Sequence, residues 1–142
     1  MPGLRPPAWL ARAVFRAQEA AMRRPTFAVL AELERTQRLA PADFAEYRRQ
    51  RLNAFLAQAA AHSPWHAARI EAAGLAEPLA AGALTLADLA RLPTMNKRDA
   101  RENVERIVWR GVPGGVFPYT TGGSSGEPLR FYFGRSRQAA DA

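Results

Sequence analysis

Cysteine is absent from the 142 residues, and lysine occurs once, at Lys97. Without thiols the chain can form no disulfide scaffold, no thiolate nucleophile and no sulfur-ligated zinc or iron–sulfur site. Histidine occurs only at His62 and His66, so few imidazoles are available for a Ser-His-Asp mechanism. No apolar run reaches the roughly 18 to 20 residues that span a bilayer, and no apolar signal-peptide core follows Met1. We therefore expect a cytoplasmic protein with no membrane span.

Arginine and alanine are abundant instead, and the formal net charge is +7. A basic chain suits nucleic acid or an anionic membrane. The arginines are, however, interleaved with acids, and the dense cluster Arg48-Arg49-Gln50-Arg51 follows Glu46. This pattern favours solvated or ion-paired helix faces over a nucleic-acid-binding patch, so nucleic acid is not the expected partner.

The composition changes near residue 100, because no Ala lies between Arg101 and Gln138. The Ala-rich part predicts a helical region over 1–110, and the part rich in Gly and aromatic residues predicts the start of an α/β domain over 111–142. The predicted long helices are 8–23, 26–38, 42–61 and 65–73. Prolines mark the starts of the last three, and Gly74 is a plausible C-cap of the fourth.

Shorter signals refine this fold prediction. Thr85 with Asp88 and Asn96 with Asp99 have capping-box spacing, so each pair predicts a short helix. Ser136 is expected to cap a further helix. We expect Trp9, Phe15, Phe27 and Phe55 to anchor the core, and the third helix to face it with an apolar stripe. The members of that largely apolar stripe are Phe44, Tyr47, Arg51 or Leu52, Phe55 and Leu56.

The strongest chemical signal is a loop between two β-prone runs, 116–121 and 129–133. Glycines there allow backbone N–H groups to converge on an anion, and small hydroxyl side chains add further donors. The loop lacks the spacing of a Walker A motif and of a dinucleotide-binding fingerprint. A solvated hairpin loop is the alternative. The residues predicted to bind phosphate are Thr120, Thr121, Gly122, Gly123, Ser124, Ser125 and Gly126.

The two histidines are four residues apart, a spacing that can bind metal on one helix face. Pro64 lies between them and predicts a helix start there, so the rings need not share a face. Capping or surface roles are expected in place of metal ligation, and no catalytic residue is assigned.

Three ordered blocks resemble one family. Tyr119-Thr-Thr-Gly-Gly-Ser-Ser-Gly-Glu-Pro-Leu-Arg-Phe-Tyr132 is similar to the phosphate-binding loop of adenylate-forming enzymes. More narrowly, it resembles that of the phenylacetate–CoA ligase family and its relatives associated with capsular polysaccharide synthesis. Residues 51–66, with a His-Ser-Pro-aromatic turn, and residues 89–103, with Leu-Pro-x-x-x-Lys-x-Asp, resemble earlier segments of that family in the same order.

The resemblance implies the N-terminal portion of an adenylate-forming fold. It also implies an ATP-dependent ligase that activates a carboxylic acid as acyl-adenylate, with Mg²⁺, and then transfers the acyl group to CoA. Many related loops place Lys where this chain has Glu127, so Arg130 or Lys97 would have to supply the positive charge. The family's later motifs have no counterpart here, so we expect a fragment that is inactive alone. A homodimer is left open. The alternatives are a small basic module that binds phosphate or nucleic acid, and a non-functional remnant.

Overall fold

Prolines set the starts of the longer helices. The computed structural model of the chain describes residues 7–121 and 128–140. Pro7 and Pro25 precede the first two helices, and Pro41 and Pro64 are the first residues of the next two, where a missing N–H costs no hydrogen bond. These four helices are α1 (Ala8–Ala21), α2 (Thr26–Thr36), α3 (Pro41–His62) and α4 (Pro64–Ala72).

The remaining elements are short, and the described chain is mostly helical with one small sheet. They are α5 (Ala76–Ala80), a 3₁₀-helix (Leu86–Arg91), α6 (Lys97–Glu102), α7 (Val104–Ile107), β1 (Val116–Thr120), β2 (Arg130–Gly134) and α8 (Arg135–Ala140). The expected mixed α/β class is therefore confirmed, with two antiparallel strands. The predicted division at residue 110 stays a prediction.

Both predicted capping boxes are present. Thr85 and Asp88 cap the 3₁₀-helix, and Asn96 and Asp99 cap α6 through reciprocal side-chain and backbone hydrogen bonds. Gly74 follows α4 at a φ of +65°, the left-handed conformation that ends many helices. Local side-chain chemistry thus fixes where these elements begin and end.

The core lies between α3, α4 and the segment after α4. Its buried members are Leu56, Ile70, Leu75 and Leu84. Leu52, Ala60, Ala73, Leu79 and Leu92 pack around them. Small and aliphatic side chains fill this space, so the core is modest, in keeping with the high Ala content.

The predicted aromatic anchors are wrong, because none of the four rings belongs to the core. Trp9 is 70% exposed, Phe55 67% and Phe15 38%. Phe27 is half-buried and meets Phe15 edge to face, with ring centroids 5.8 Å apart. These rings lie outside the aliphatic core, and Phe15 and Phe27 instead join α1 to α2.

The predicted stripe on α3 is also wider than the face that packs. Each residue of an α-helix is rotated by about 100° around the helix axis. Seen along that axis, Phe44 and Phe55 lie on one side of Leu52, and Leu56 lies on the other side. The core meets the Leu52–Leu56 side, so Phe44 and Phe55 stay exposed. Of the apolar side chains predicted to face the core, Leu52 and Leu56 therefore do so, and Phe44 and Phe55 do not.

A buried carboxylate fixes the turn between α1 and α2. Glu19 is 1% exposed, accepts a hydrogen bond from the Thr26 hydroxyl, and lies 3.3 Å from Arg24. Arg23 takes a φ of +53°, which ends α1 two residues before the predicted boundary. The short turn and its ion pair connect the end of α1 to the start of α2.

The hairpin joins the helical part through α8. That helix begins at Arg135 directly after β2, so Ser136 is its second residue and not the predicted cap. The Arg135 guanidinium donates to the carbonyls of Gly114 and Met22, and α8 packs against α2. No helix in the described part of the chain is long and apolar enough to cross a membrane.

Candidate functional site

The two strands meet in full register at the base of the predicted phosphate loop. Thr120 lies opposite Arg130 at the last paired position. One residue further, the Thr121 N–H donates to the Leu129 carbonyl at 3.0 Å, and the Leu129 N–H donates to Thr121 Oγ1 at 2.9 Å. The chain therefore leaves and re-enters the hairpin at one closed, hydrogen-bonded end.

Only two of the predicted phosphate ligands lie within the described residues. Thr120 and Thr121 stand at the exposed end of β1. The oxygen of Thr121 already accepts a backbone hydrogen bond, but its hydroxyl hydrogen can still be donated outward. The other predicted ligands, Gly122, Gly123, Ser124, Ser125 and Gly126, lie outside the described residues, as does Glu127.

A polar cleft of about 300 Å³ opens beside this end of the hairpin. Arg101, Glu105 and Arg130 supply its charged lining, and Val104, Pro128 and Tyr132 complete it. Two guanidinium groups and one carboxylate thus line the cleft. An anion held at the hairpin end would therefore have cations within the same concavity.

Arg110 is hydrogen-bonded to Glu105, the carboxylate that lines this cleft. Its Nε and Nη2 reach the two oxygens of Glu105 at 2.9 and 2.5 Å, and its guanidinium lies 5.0 Å from the Tyr132 ring centroid. These hydrogen bonds are the main reason that the pKa of Glu105 is lowered, and the nearby charge of Arg130 adds to the effect. Glu105 is thus already engaged by Arg110, and Arg130 remains the exposed cation beside Thr120.

The structure separates the two predicted sources of positive charge. Arg130 lines the cleft at the hairpin end, whereas Lys97, the first residue of α6, is not among its lining residues. Sequence reasoning missed Arg101, which follows Lys97 by one helical turn and does line the cleft. No local signal in the sequence identifies Arg101, because its place in the cleft depends on how α6 meets the hairpin.

A larger, mainly apolar cleft of about 430 Å³ shares Arg130 with the polar one. Val104, Ile107, Trp109, Val116 and Phe131 are among its lining residues. Arg130 therefore stands where a polar and an apolar concavity meet. Such a pairing suits a ligand with an anionic part and an apolar part.

The two histidines lie on different helices, as Pro64 predicted. His62 is exposed at the end of α3, and its ring stacks on Trp109 with centroids 3.6 Å apart. His66 is half-buried in α4, and burial is the main cause of its lowered pKa, with the Arg69 charge second. Ser63, and neither histidine, caps α4 by accepting the His66 N–H at 3.3 Å.

A metal centre is not supported at the histidines. Among residues 7–121 and 128–140, no three His, Asp or Glu side chains gather closely enough to hold a metal ion. Ser63 instead donates to the Arg106 carbonyl at 2.9 Å, which ties the α3–α4 junction to α7. The aromatic and hydroxyl contacts give this region a structural role.

Arg49, within the arginine cluster on α3, is ion-paired with Glu46, and Arg48 and Arg51 are exposed, which agrees with the predicted solvated or ion-paired face. Arg49 holds both oxygens of Glu46 at 2.8 Å, and these bonds, followed by one from Gln50, lower the pKa of Glu46 to about 2. Arg49 also donates to the Gly82 carbonyl, and Arg48 lies 5.8 Å from the Phe44 ring centroid. The cluster thus binds neighbouring parts of its own chain.

Comparisons of the chain with protein-family models, with curated proteins and with solved structures found no match.

Proposed function

We propose that the hairpin binds the β and γ phosphates of ATP in a carboxylate-activating ligase similar to the phenylacetate–CoA ligase family. The observation that carries the proposal is the closed end of the hairpin, where Thr120, Thr121 and Arg130 flank the Gly/Ser-rich loop. The three ordered sequence blocks support the family, and the arginines that line the adjacent cleft support an anionic ligand.

In such an enzyme a carboxylate oxygen attacks the α-phosphorus of ATP. The bond from the α-phosphorus to the bridging oxygen breaks, and pyrophosphate leaves with the electron pair. Negative charge then grows on the leaving phosphates, where hydrogen-bond donors fixed in advance lower the barrier. The Thr120 and Thr121 hydroxyl groups, the loop N–H groups and Arg130 would supply those donors.

Arg130 would replace the positive charge that Glu127 cannot provide. It is exposed, it pairs with Thr120 across the ladder, and it shares its cleft with Arg101. A guanidinium can bind phosphate oxygens through two parallel hydrogen bonds, so it suits this role better than a point charge would.

Mg²⁺ and CoA belong to the proposal only through the sequence resemblance. The described residues offer no cluster of metal ligands, and Mg²⁺ usually reaches such sites with the phosphates of the nucleotide. The acyl-adenylate chemistry also needs groups beyond those identified in these residues. The chain is therefore proposed to bind ATP phosphates, while the complete reaction belongs to a longer ligase.

ATP binding by this chain is the direct test. Amide NMR spectra of labelled protein should shift on addition of MgATP at Thr120, Thr121 and the loop glycines. Arg130→Gln should weaken ATP binding about fivefold to tenfold, because one charge-assisted contact is lost. Arg98→Gln is the matched control, since Arg98 is an exposed arginine paired with Glu102 and is expected to leave affinity unchanged.

The ligase itself is tested on the full-length product of the gene that encodes this chain. That protein should exchange labelled pyrophosphate into ATP only when a carboxylic acid is present. If the chain instead binds RNA or DNA with affinity that falls steeply as salt increases, and ATP shifts no loop amide, the nucleic-acid-binding module is the correct function. Absence of both activities would favour a non-functional remnant.

A further inference from the structure

The first helix contacts α2 with one side and leaves an apolar face exposed on the other. Glu19 is buried against α2, and Arg16 lies 4.7 Å from the Phe27 ring centroid. On the opposite side Trp9, Leu10 and Val14 are exposed. Ala13 and Ala17 are exposed between them, so the outward face is continuous and apolar.

This apolar face is bordered by basic residues. Trp9, Arg12 and Arg16 line a shallow groove of about 670 Å³ on α1. Within the described residues no carboxylate pairs with Arg12, and the only acid of α1, Glu19, is buried and paired with Arg24. The exposed surface of α1 therefore combines an indole, aliphatic side chains and unneutralised guanidinium charge.

We propose that α1 lies on an anionic phospholipid surface, with Trp9, Leu10 and Val14 in the outer acyl region and Arg12 at the phosphates. Amphipathic helices that bind membranes in this way combine Trp and Leu on one face with Arg on the edge of the polar face. The indole favours the interface between headgroups and acyl chains. The net charge of +7 adds attraction to an acidic surface.

The distribution of charge on α1 favours a lipid surface over a nucleic acid as its partner. A nucleic acid would need guanidinium groups along the contact face, whereas the exposed face of α1 is apolar and its cations lie at one edge. The contact is parallel to the surface, because α1 has only 14 residues and Phe15 on its other side contacts Phe27 of α2.

Vesicle co-sedimentation of the full 142-residue chain tests the proposal. We expect binding to vesicles rich in phosphatidylglycerol, weak binding to pure phosphatidylcholine, and loss of binding at high salt. Leu10→Gln combined with Val14→Gln should lower the partition coefficient at least tenfold, because two exposed apolar side chains no longer enter the lipid. Arg12→Gln should lower it about fivefold.

Leu30→Gln combined with Leu33→Gln is the matched control. Both leucines are exposed on α2, at 48% and 59%, and the pair removes the same kind of side chain from a different surface. Partitioning of this variant should stay within twofold of the original protein. Circular dichroism of all variants checks that helix content is unchanged.

Trp9 fluorescence locates the contact. Its emission should move to shorter wavelength on binding and should be quenched by brominated acyl chains, and both changes should be lost in Trp9→Leu. The proposal is overturned if phosphatidylglycerol vesicles do not bind, if both lipid types bind equally, or if the control pair loses as much affinity as the α1 pair. A change of oligomeric state in the α1 pair without vesicle binding would assign the face to a protein contact instead.

Discussion

Asn53 holds the backbone of Leu84 through two hydrogen bonds across 31 positions of sequence. Its amide nitrogen donates to the Leu84 carbonyl at 2.9 Å, and its amide oxygen accepts the Leu84 N–H at 3.0 Å. The Asn53 side chain thereby bonds both the N–H and the carbonyl of Leu84, as the backbone of a neighbouring β-strand would. Leu84 is held at the core by this contact, where it is 1% exposed.

Asn53→Ala should lower the free energy of unfolding by about 1 to 3 kcal/mol. The substitution leaves the Leu84 N–H and carbonyl buried without their partners, and unmet buried polar groups are costly. Urea unfolding at neutral pH measures the change. Gln50→Ala on the same helix removes an exposed hydrogen bond to Glu46 and should alter stability by less than about 0.5 kcal/mol. Equal effects of the two substitutions would contradict the buried role of Asn53.

Leu75→Ala should destabilise the protein by about 2 to 5 kcal/mol, because Leu75 is fully buried and a cavity would remain. Phe55→Ala removes a larger side chain but should cost less than about 0.5 kcal/mol, since Phe55 is 67% exposed. Thermal or urea unfolding of both variants gives the comparison. A larger loss of stability from Phe55→Ala than from Leu75→Ala would support the aromatic core that the sequence predicts.

Glu46 should titrate with a pKa of about 2, far below its ordinary value of 4.5. The hydrogen bonds from Arg49 are the main cause, so Arg49→Ala should bring the pKa back toward 4.5. The contribution of this pair to stability is present above pH 4.5 and is lost as the pH falls toward 2. Carbon NMR of the side-chain carboxyl measures both values. An unchanged pKa of Glu46 in Arg49→Ala would show that another group stabilises the Glu46 carboxylate.

His66 should titrate below its ordinary pKa of 6.5, because burial disfavours its charged form. Unfolding exposes the ring, so the unfolded chain takes up the proton first. The resulting stability is therefore full above pH 6.5 and declines as the pH falls through the lower folded pKa. Proton NMR of the imidazole gives the pKa, and Arg69→Gln should raise it only in part, since the Arg69 charge is the smaller cause.

Thr121→Val should loosen the hairpin end without removing the strands. The substitution deletes the oxygen that accepts the Leu129 N–H at 2.9 Å, so the Leu129 amide should exchange with solvent about fivefold faster. Thr120→Val keeps that hydrogen bond and should leave the exchange rate unchanged. Amide hydrogen exchange followed by NMR separates the two threonines. Faster exchange in both variants would show that Thr121 does not close the ladder alone.

Much of the helical framework could be predicted because its signals are local. Pro25, Pro41 and Pro64 mark helix starts, and Asp88 and Asp99 complete their capping boxes within three residues. The helices α5 and α7 were missed. They have only five and four residues, and no side chain caps either of them. Such short turns depend on their packing more than on sequence propensity.

Long-range contacts explain the remaining differences. Periodicity assigned Phe55 to the core, but burial depends on which part of α3 meets α4, and the Leu52 and Leu56 side does so. Arg101 was not predicted at the candidate site because its position beside Arg130 depends on how α6 meets the hairpin. The predicted ligands Gly122 to Gly126 lie outside the described residues, so their role stays a prediction.

The contact from Arg135 to the Met22 carbonyl has a consequence for synthesis on the ribosome. It joins positions 113 residues apart, and translation at ordinary rates takes roughly 6 to 23 s to cover that distance. The turn around Glu19 is complete within residues 19–26, so α1 and α2 can pair early. Their attachment to α8 must wait until Arg135 emerges. During that interval the nascent chain presents the exposed face of α1 before the hairpin exists.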